Sequence, residues 1–209
     1  MPEILKIGAE NSEEKILARA VEILTGGGII AYPTETFYGL GADATNEKAI
    51  KKVFAAKGRD LKNPVSLIIG PMDDIPPLVQ DIPESARKLM AAFWPGALTI
   101  VFQASKKISP LLTAGSGKIG LRVSSHPGAR GILQKLKRPL TATSANLTGA
   151  PECTRASEVV KQIGDKIDAI VDLGDTPGTK GSTIIDVTCN PPVILREGAI
   201  SRKTIEKYY

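Results

Sequence analysis

Residues 14–41 read EKILARAVEILTGGGIIAYPTETFYGLG, and this stretch passes from a helical pattern through a strand into a polar loop. Ile16, Leu17, Ala20, Val21 and Leu24 recur at the spacing of one helix face, and Asn11 to Glu14 has the form of a capping box ahead of them. Gly26-Gly27-Gly28 stops the helix. The residues from Gly28 to Tyr32, GIIAY, then read as a short buried strand that Pro33 ends. Pro33 to Gly41 puts hydroxyls and a carboxylate directly after that strand, with glycines that permit close backbone approach. A turn merely rich in hydroxyls is the alternative reading.

Working outward, the same alternation repeats. Helical spacing is expected over 46–57, 84–93, 127–137 and 155–163, and strands over 65–69, 98–103, 119–123, 140–143, 168–172, 183–187 and 193–195. Strands interleaved with helices argue for an α/β chain with a mixed sheet covered by helices. No internal repeat, low-complexity segment or linker interrupts the 209 residues, so one domain over 1–209 is expected.

Composition excludes several chemistries. Hydrophobic residues make up 42 % and charged residues 23 %, as in ordinary globular proteins. No apolar run reaches the ~18 residues of a membrane span, and MPEILKIGAE lacks the regions of a signal peptide, so the expectation is a cytoplasmic protein with no membrane partner. His126 is the only histidine, and Cys153 and Cys189 are far apart, which argues against a Cys/His metal site or a Ser-His-Asp hydrolase; no metal ligands are assigned.

The net charge of +5 is unevenly spread: residues 48–62 carry Lys48, Lys51, Lys52, Lys57, Arg59 and Lys62 against Asp60, and residues 130–138 carry Arg130, Lys135, Lys137 and Arg138. Two basic stretches on a mildly acidic body suit a polyanion, either a nucleotide phosphate chain or an RNA backbone, although solvated helix faces look the same in sequence.

Four polar clusters sit at strand ends, where open α/β sheets bind ligands. The first is Thr34, Glu35 and Thr36. The second is Lys57-Gly58-Arg59 with Asn63-Pro64, a point charge and a planar fork suited to polyphosphate, or equally a helix C-terminus stabilised by cations. The third is Arg122 in the apolar strand IGLRV, which if buried needs an anionic partner, whether a ligand or a structural acid. The fourth is Thr143-Ser144-Ala145-Asn146, small donors for phosphate or carboxylate oxygens or an ordinary hydroxyl turn. Gly181-Ser182-Thr183 and Arg196 close the pattern near the C-terminus. None is a Walker A loop or a Rossmann fingerprint, so spacing alone reaches an anion-binding α/β enzyme.

Taken in order, YPTETFYGLG, KGR with NP, LRV, TSAN with G, and GST before IIDV with ILREGAI resemble the YrdC family of threonylcarbamoyl-adenylate synthases, over residues 12–202. Ser144-Ala145-Asn146 is intact, unlike in the YciO-type branch, and the resemblance is to the short, single-domain form. Ile68 stands where many long members carry a histidine, and Asp60 where a proline usually follows the motif arginine. The resemblance implies a single twisted mixed sheet flanked by helices, YrdC-like or DHBP-synthase-like, with a basic concave cavity. It implies synthesis of threonylcarbamoyl-AMP from ATP, L-threonine and bicarbonate with release of pyrophosphate, for the N6-threonylcarbamoyl modification of adenosine 37 in tRNA. A separate tRNA-modifying transferase would complete that step.

By the same resemblance Lys57, Arg59, Asn63, Ser144, Asn146 and Arg196 handle ATP, with Lys118 a weaker candidate, and Thr34, Thr36, Arg122, Thr143 and Ser182 handle threonine. Mg²⁺ is expected to arrive with ATP. No residue is assigned as nucleophile or base, and Lys57 and Arg59 would act by position and charge. Two rival functions fit the same charges. One is an RNA-binding module for double-stranded RNA or tRNA, which nine aromatics, two of them terminal, serve poorly as stacking platforms. The other is carbamoyl-adenylate transfer, for which no CxxC zinc module is present.

Overall fold

The computed structural model describes residues 1–8 and 12–209. Its strands are β1 (Glu3–Lys6), β2 (Ile30–Pro33), β3 (Tyr38–Gly41), β4 (Ser66–Ile68), β5 (Leu98–Gln103), β6 (Lys118–Arg122), β7 (Leu140–Ser144), β8 (Ala169–Asp172), β9 (Thr183–Asp186) and β10 (Val193–Arg196). Its α-helices are α1 (Glu13–Thr25), α2 (Glu47–Lys57), α3 (Glu84–Phe93), α4 (Pro110–Thr113), α5 (Pro127–Leu136), α6 (Ala156–Ile163) and α7 (Arg202–Ile205). No described helix is long and apolar enough to cross a membrane.

The strands form one ten-stranded sheet in the order β1-β8-β2-β3-β7-β4-β6-β5-β9-β10. It is mixed, as expected: β8 lies parallel to both β1 and β2, whereas β2, β3, β7 and β4 are successively antiparallel. Helices cover both faces. Ile30 and Tyr32 of β2 face α1 and α5, whose Leu17, Leu24, Ile132 and Leu136 complete one core, while Ala31 and Ile170 face α2 and α6 through Val53 and Ile163. A strand buried on both sides reads as a continuous apolar run, which is why the short segment around Tyr32 carries no polar alternation.

Three local readings change. The cap of α1 is Ser12, whose hydroxyl accepts from Lys15 N, and Asn11 of the expected capping box lies outside the described residues. Strand β1 at the sheet edge was not expected. The polar stretch after Tyr32 is no simple loop but a tight hairpin, because β3 pairs back on β2 with Tyr32 opposite Gly39 and Pro33 opposite Tyr38.

The hairpin also explains its glycines. A Cβ on Gly39 would lie 2.9 Å from Tyr32 Cζ, and one on Gly41 would lie 2.7 Å from Tyr32 Cε1 and 2.9 Å from Leu140 Cγ. The close approach that they permit is largely that of the Tyr32 ring, fully buried and bonded through its hydroxyl to Thr141 O at 3.1 Å. Gly41→Ala, pressing on two immobile side chains, is expected to destabilise the fold by about 1–3 kcal/mol. The urea midpoint measures it, and an unchanged midpoint would show that the ring has room to move.

Candidate active site

Hairpin turn, sheet and the loop before β9 enclose a cavity of about 210 Å³. Thr34 and Thr36 enter from the β2–β3 turn, Arg59 from just beyond α2, Arg122 from the end of β6, Thr143 and Ser144 from β7, and Ser182 and Arg196 from the β9–β10 edge. Residues far apart in sequence thus converge because the central strands run side by side. Val65, Ile68, Ala142 and Ile184 give the wall an apolar part, and Glu152 is the carboxylate that lines it.

The expected residues Lys57, Asn63, Lys118 and Asn146 are not among the lining. Lys118 binds Asp186 at 2.9 Å. Asn63 is exposed, and its carbonyl accepts from Arg59 Nε at 3.5 Å. Lys57 is 3 % exposed, and its ammonium donates to Ser144 O at 2.5 Å, Asn146 O at 2.9 Å and Asn146 Oδ1 at 3.0 Å. All three N–H bonds are therefore used within the chain. Burial, with Arg59 adding repulsion, pushes Lys57 down to about 8, so at neutral pH it remains an ammonium. Asn146 Nδ2 is bonded to Ala150 O at 2.6 Å, and Thr148 N to Lys57 O at 2.9 Å. The end of α2 and the turn after β7 are thereby laced into one unit that presents Ser144.

The three cavity arginines differ electrically. Arg59 donates to Pro64 O at 2.8 Å and Arg196 to Ser182 O at 2.8 Å, both carbonyls, and among the described residues neither has an acidic partner. Arg122 is the exception, since its Nη2 lies 2.6 Å from Glu35 Oε1 and its Nε donates to the same oxygen at 3.0 Å. The second carboxylate oxygen accepts from Ser124 Oγ, whose own oxygen accepts from His126 N at 3.2 Å. Arg122 Nη1 and Nη2 also reach Thr36 Oγ1 at 3.4 and 3.3 Å. Burial raises Glu35, but the charge of Arg122 and the hydroxyl of Ser124 outweigh it and hold the carboxyl below its usual range.

Hydroxyl directions follow from counting protons. Thr34 Oγ1 donates its single hydrogen to Phe37 O at 2.7 Å, so in its 3.0 Å contact with Thr36 Oγ1 the donor is Thr36. Thr36 oxygen is then left to accept from Arg122. The chain of donors runs one way, from guanidinium to Thr36, to Thr34, to the Phe37 carbonyl. Both threonines line the cavity as expected, but their hydrogens are committed within the chain, that of Thr36 to Thr34 and that of Thr34 to the Phe37 carbonyl.

Glu35, Ser124 and Glu152 carried no assigned role in the sequence reading. The available signal was that an arginine inside an apolar strand needs an anion, which leaves open which of 22 acidic residues supplies it.

The family model Sua5/YciO/YrdC, described as telomere recombination, matches residues 22–198. The chain belongs to this family. The threonylcarbamoyl-AMP synthase of Pyrococcus abyssi (strain GE5 / Orsay) is 39 % identical over 198 residues, covering 95 % of this chain and 58 % of that protein. The structure of P. abyssi Sua5 complexed with L-threonine superposes with a TM-score of 0.91 at 36 % identity, covering all of this chain and 60 % of that one. E. coli YciO superposes with a TM-score of 0.88 at 27 % identity, covering 98 % and 100 %. The chain thus spans somewhat over half the length of the P. abyssi relative.

Two outcomes are expected from this geometry. Lys57→Met, removing the donor to the Ser144 and Asn146 carbonyls and to Asn146 Oδ1, should cost about 1–3 kcal/mol in chemical denaturation, whereas Arg59→Ala should leave stability nearly unchanged. Equal effects would mean that Lys57 is not a structural tie. The ionised Glu35 contributes stability in full above its unfolded value of about 4.3 and loses it as pH falls through the lower folded value. Melting temperature should therefore drop less steeply below about pH 4.3 in Glu35→Gln than in the parent protein. Parallel acid limbs would contradict the pairing.

Proposed function

We propose that this chain makes L-threonylcarbamoyl-adenylate from ATP, L-threonine and bicarbonate, releasing pyrophosphate. The observation that carries the reading is the convergence, in one cavity, of residues from all of the ordered motifs: Thr34 and Thr36, Arg59, Arg122, Thr143 and Ser144, and Ser182 with Arg196. The L-threonine complex of the P. abyssi relative supports the amino acid.

In this reading the threonine amine adds to bicarbonate, losing water, to give an N-carboxylate. That carboxylate attacks the α-phosphorus of ATP and pyrophosphate leaves in line. The step needs alignment and charge neutralisation more than a protein nucleophile, and no histidine or cysteine lines the cavity. Arg59 and Arg196, without acidic partners, neutralise the phosphates, and Ser144 donates to them. Arg122 receives the threonine carboxylate beside Thr143 and Ser182. Among the described residues no group of three or more His, Cys, Asp or Glu side chains is placed to hold a metal, so Mg²⁺ enters as part of the nucleotide substrate. The product, a reactive mixed anhydride, is passed to a tRNA-modifying transferase.

Pyrophosphate release is expected to fall at least tenfold when either threonine or bicarbonate is omitted, with ¹³C from labelled bicarbonate appearing in the adenylate by mass spectrometry. Serine should support turnover at a kcat/KM about 10- to 200-fold lower, the range one methyl in an apolar pocket provides. Undiminished release without bicarbonate would overturn the reading.

A further inference from the structure

Arg122 is 7 % exposed and is held by Glu35 and Thr36. Its Nε and Nη2 both point at one oxygen of Glu35, while Ser124, fully buried, holds the other oxygen. With both oxygens engaged the carboxylate plane cannot turn, and a guanidinium is rigid and planar. The edge formed by Nε and Nη2 is therefore closed to any ligand. Nη1 makes no bond to Glu35, and its one contact is Thr36 Oγ1 at 3.4 Å. The donor that Arg122 brings to the cavity wall is then the Nη1 side, whose direction is set by residues behind it. Glu35 itself does not line the cavity.

The geometry points to Glu35, braced by Ser124, as a positioning residue that selects which N–H of Arg122 faces the amino-acid carboxylate. This rests on the proposed reading of the cavity as an amino-acid site. A purely structural ion pair would need the charges alone. A positioning residue needs an oxygen at the place of Oε1, and a neutral amide supplies one. Glu35→Gln should therefore keep the orientation that Glu35→Ala loses.

The test uses L-threonine and ATP as separate probes on the full chain. Glu35→Ala is expected to raise the KM or Kd for threonine at least tenfold while the calorimetric affinity for ATP stays within twofold. Glu35→Gln should recover threonine to within about threefold of the parent. Arginine-selective ¹⁵N spectra give a readout independent of turnover, with the Arg122 Nε–H resonance shifted in the parent and in Glu35→Gln but collapsed to the free-arginine position in Glu35→Ala. The proposal is overturned if Glu35→Ala leaves threonine binding unchanged, if it weakens ATP as much as threonine, or if Glu35→Gln behaves like Glu35→Ala. Failure of the amino-acid reading is distinguishable, because it would appear as absent threonine binding in the unmodified protein, before any variant is compared.

Discussion

Glu35 and Arg122 sit on the β2–β3 turn and on β6, and in the strand order β3 and β6 are separated by β7 and β4. In a flat sheet three strand spacings of ~4.8 Å would hold them roughly 14 Å apart. The 2.6 Å contact is made because the turn and the two long side chains reach across that gap. What lies beneath that reach is the cavity. The ion pair thus ties the β2–β3 turn to the end of β6, while backbone pairing of the strands between them places the remaining lining groups. Its cost is the desolvation of two charges, which is tolerable because the guanidinium and both carboxylate oxygens are hydrogen-bonded.

The same pair divides the cavity electrically. Arg122 is neutralised by its own acid, whereas Arg59 and Arg196 rest on backbone carbonyls and keep their full charge. A polyanion is drawn to the unneutralised arginines. A zwitterion, with no net charge, loses little by binding at the neutralised one, where directed N–H groups count for more than charge. The electrical difference between the two parts of the cavity follows from which arginines the fold pairs, without any difference in residue type.

Much of this was legible in the sequence and some could not have been. The mixed sheet with helices on both faces follows from helical spacing in residues such as Ile16 to Leu24 alternating with short apolar runs such as LTIVFQ. Strand β3 was missed because Tyr38-Gly39-Leu40-Gly41 has the glycine content of a loop, and only the Tyr32 ring packed across it reveals why glycine belongs in a strand there. The gathering of hydroxyls and arginines was readable from motif order. The engagement of Lys57 was not, since a lysine at the end of a helix looks the same whether its ammonium faces a phosphate or three carbonyl-type oxygens. Nor was the partner of Arg122, because the contact joins positions 87 residues apart and pairing at that range leaves no local pattern.

In the proposed reaction, adenylate formation without a protein nucleophile would depend on donors that already point where charge develops. Here the fold removes the freedom that hydroxyls and guanidinium groups usually retain. Thr34 spends its hydrogen on the Phe37 carbonyl, which forces Thr36 to donate to Thr34 and leaves the Thr36 oxygen for Arg122. Ser124 spends its hydrogen on Glu35, which fixes the edge that Arg122 turns away from the cavity. Each of these groups is oriented by the one before it, so the Thr34, Thr36 and Ser124 hydroxyls are set within the chain. The buried, fully bonded network costs stability that an apolar core would have supplied, and its return is a cavity wall whose polar directions are set before any ligand arrives.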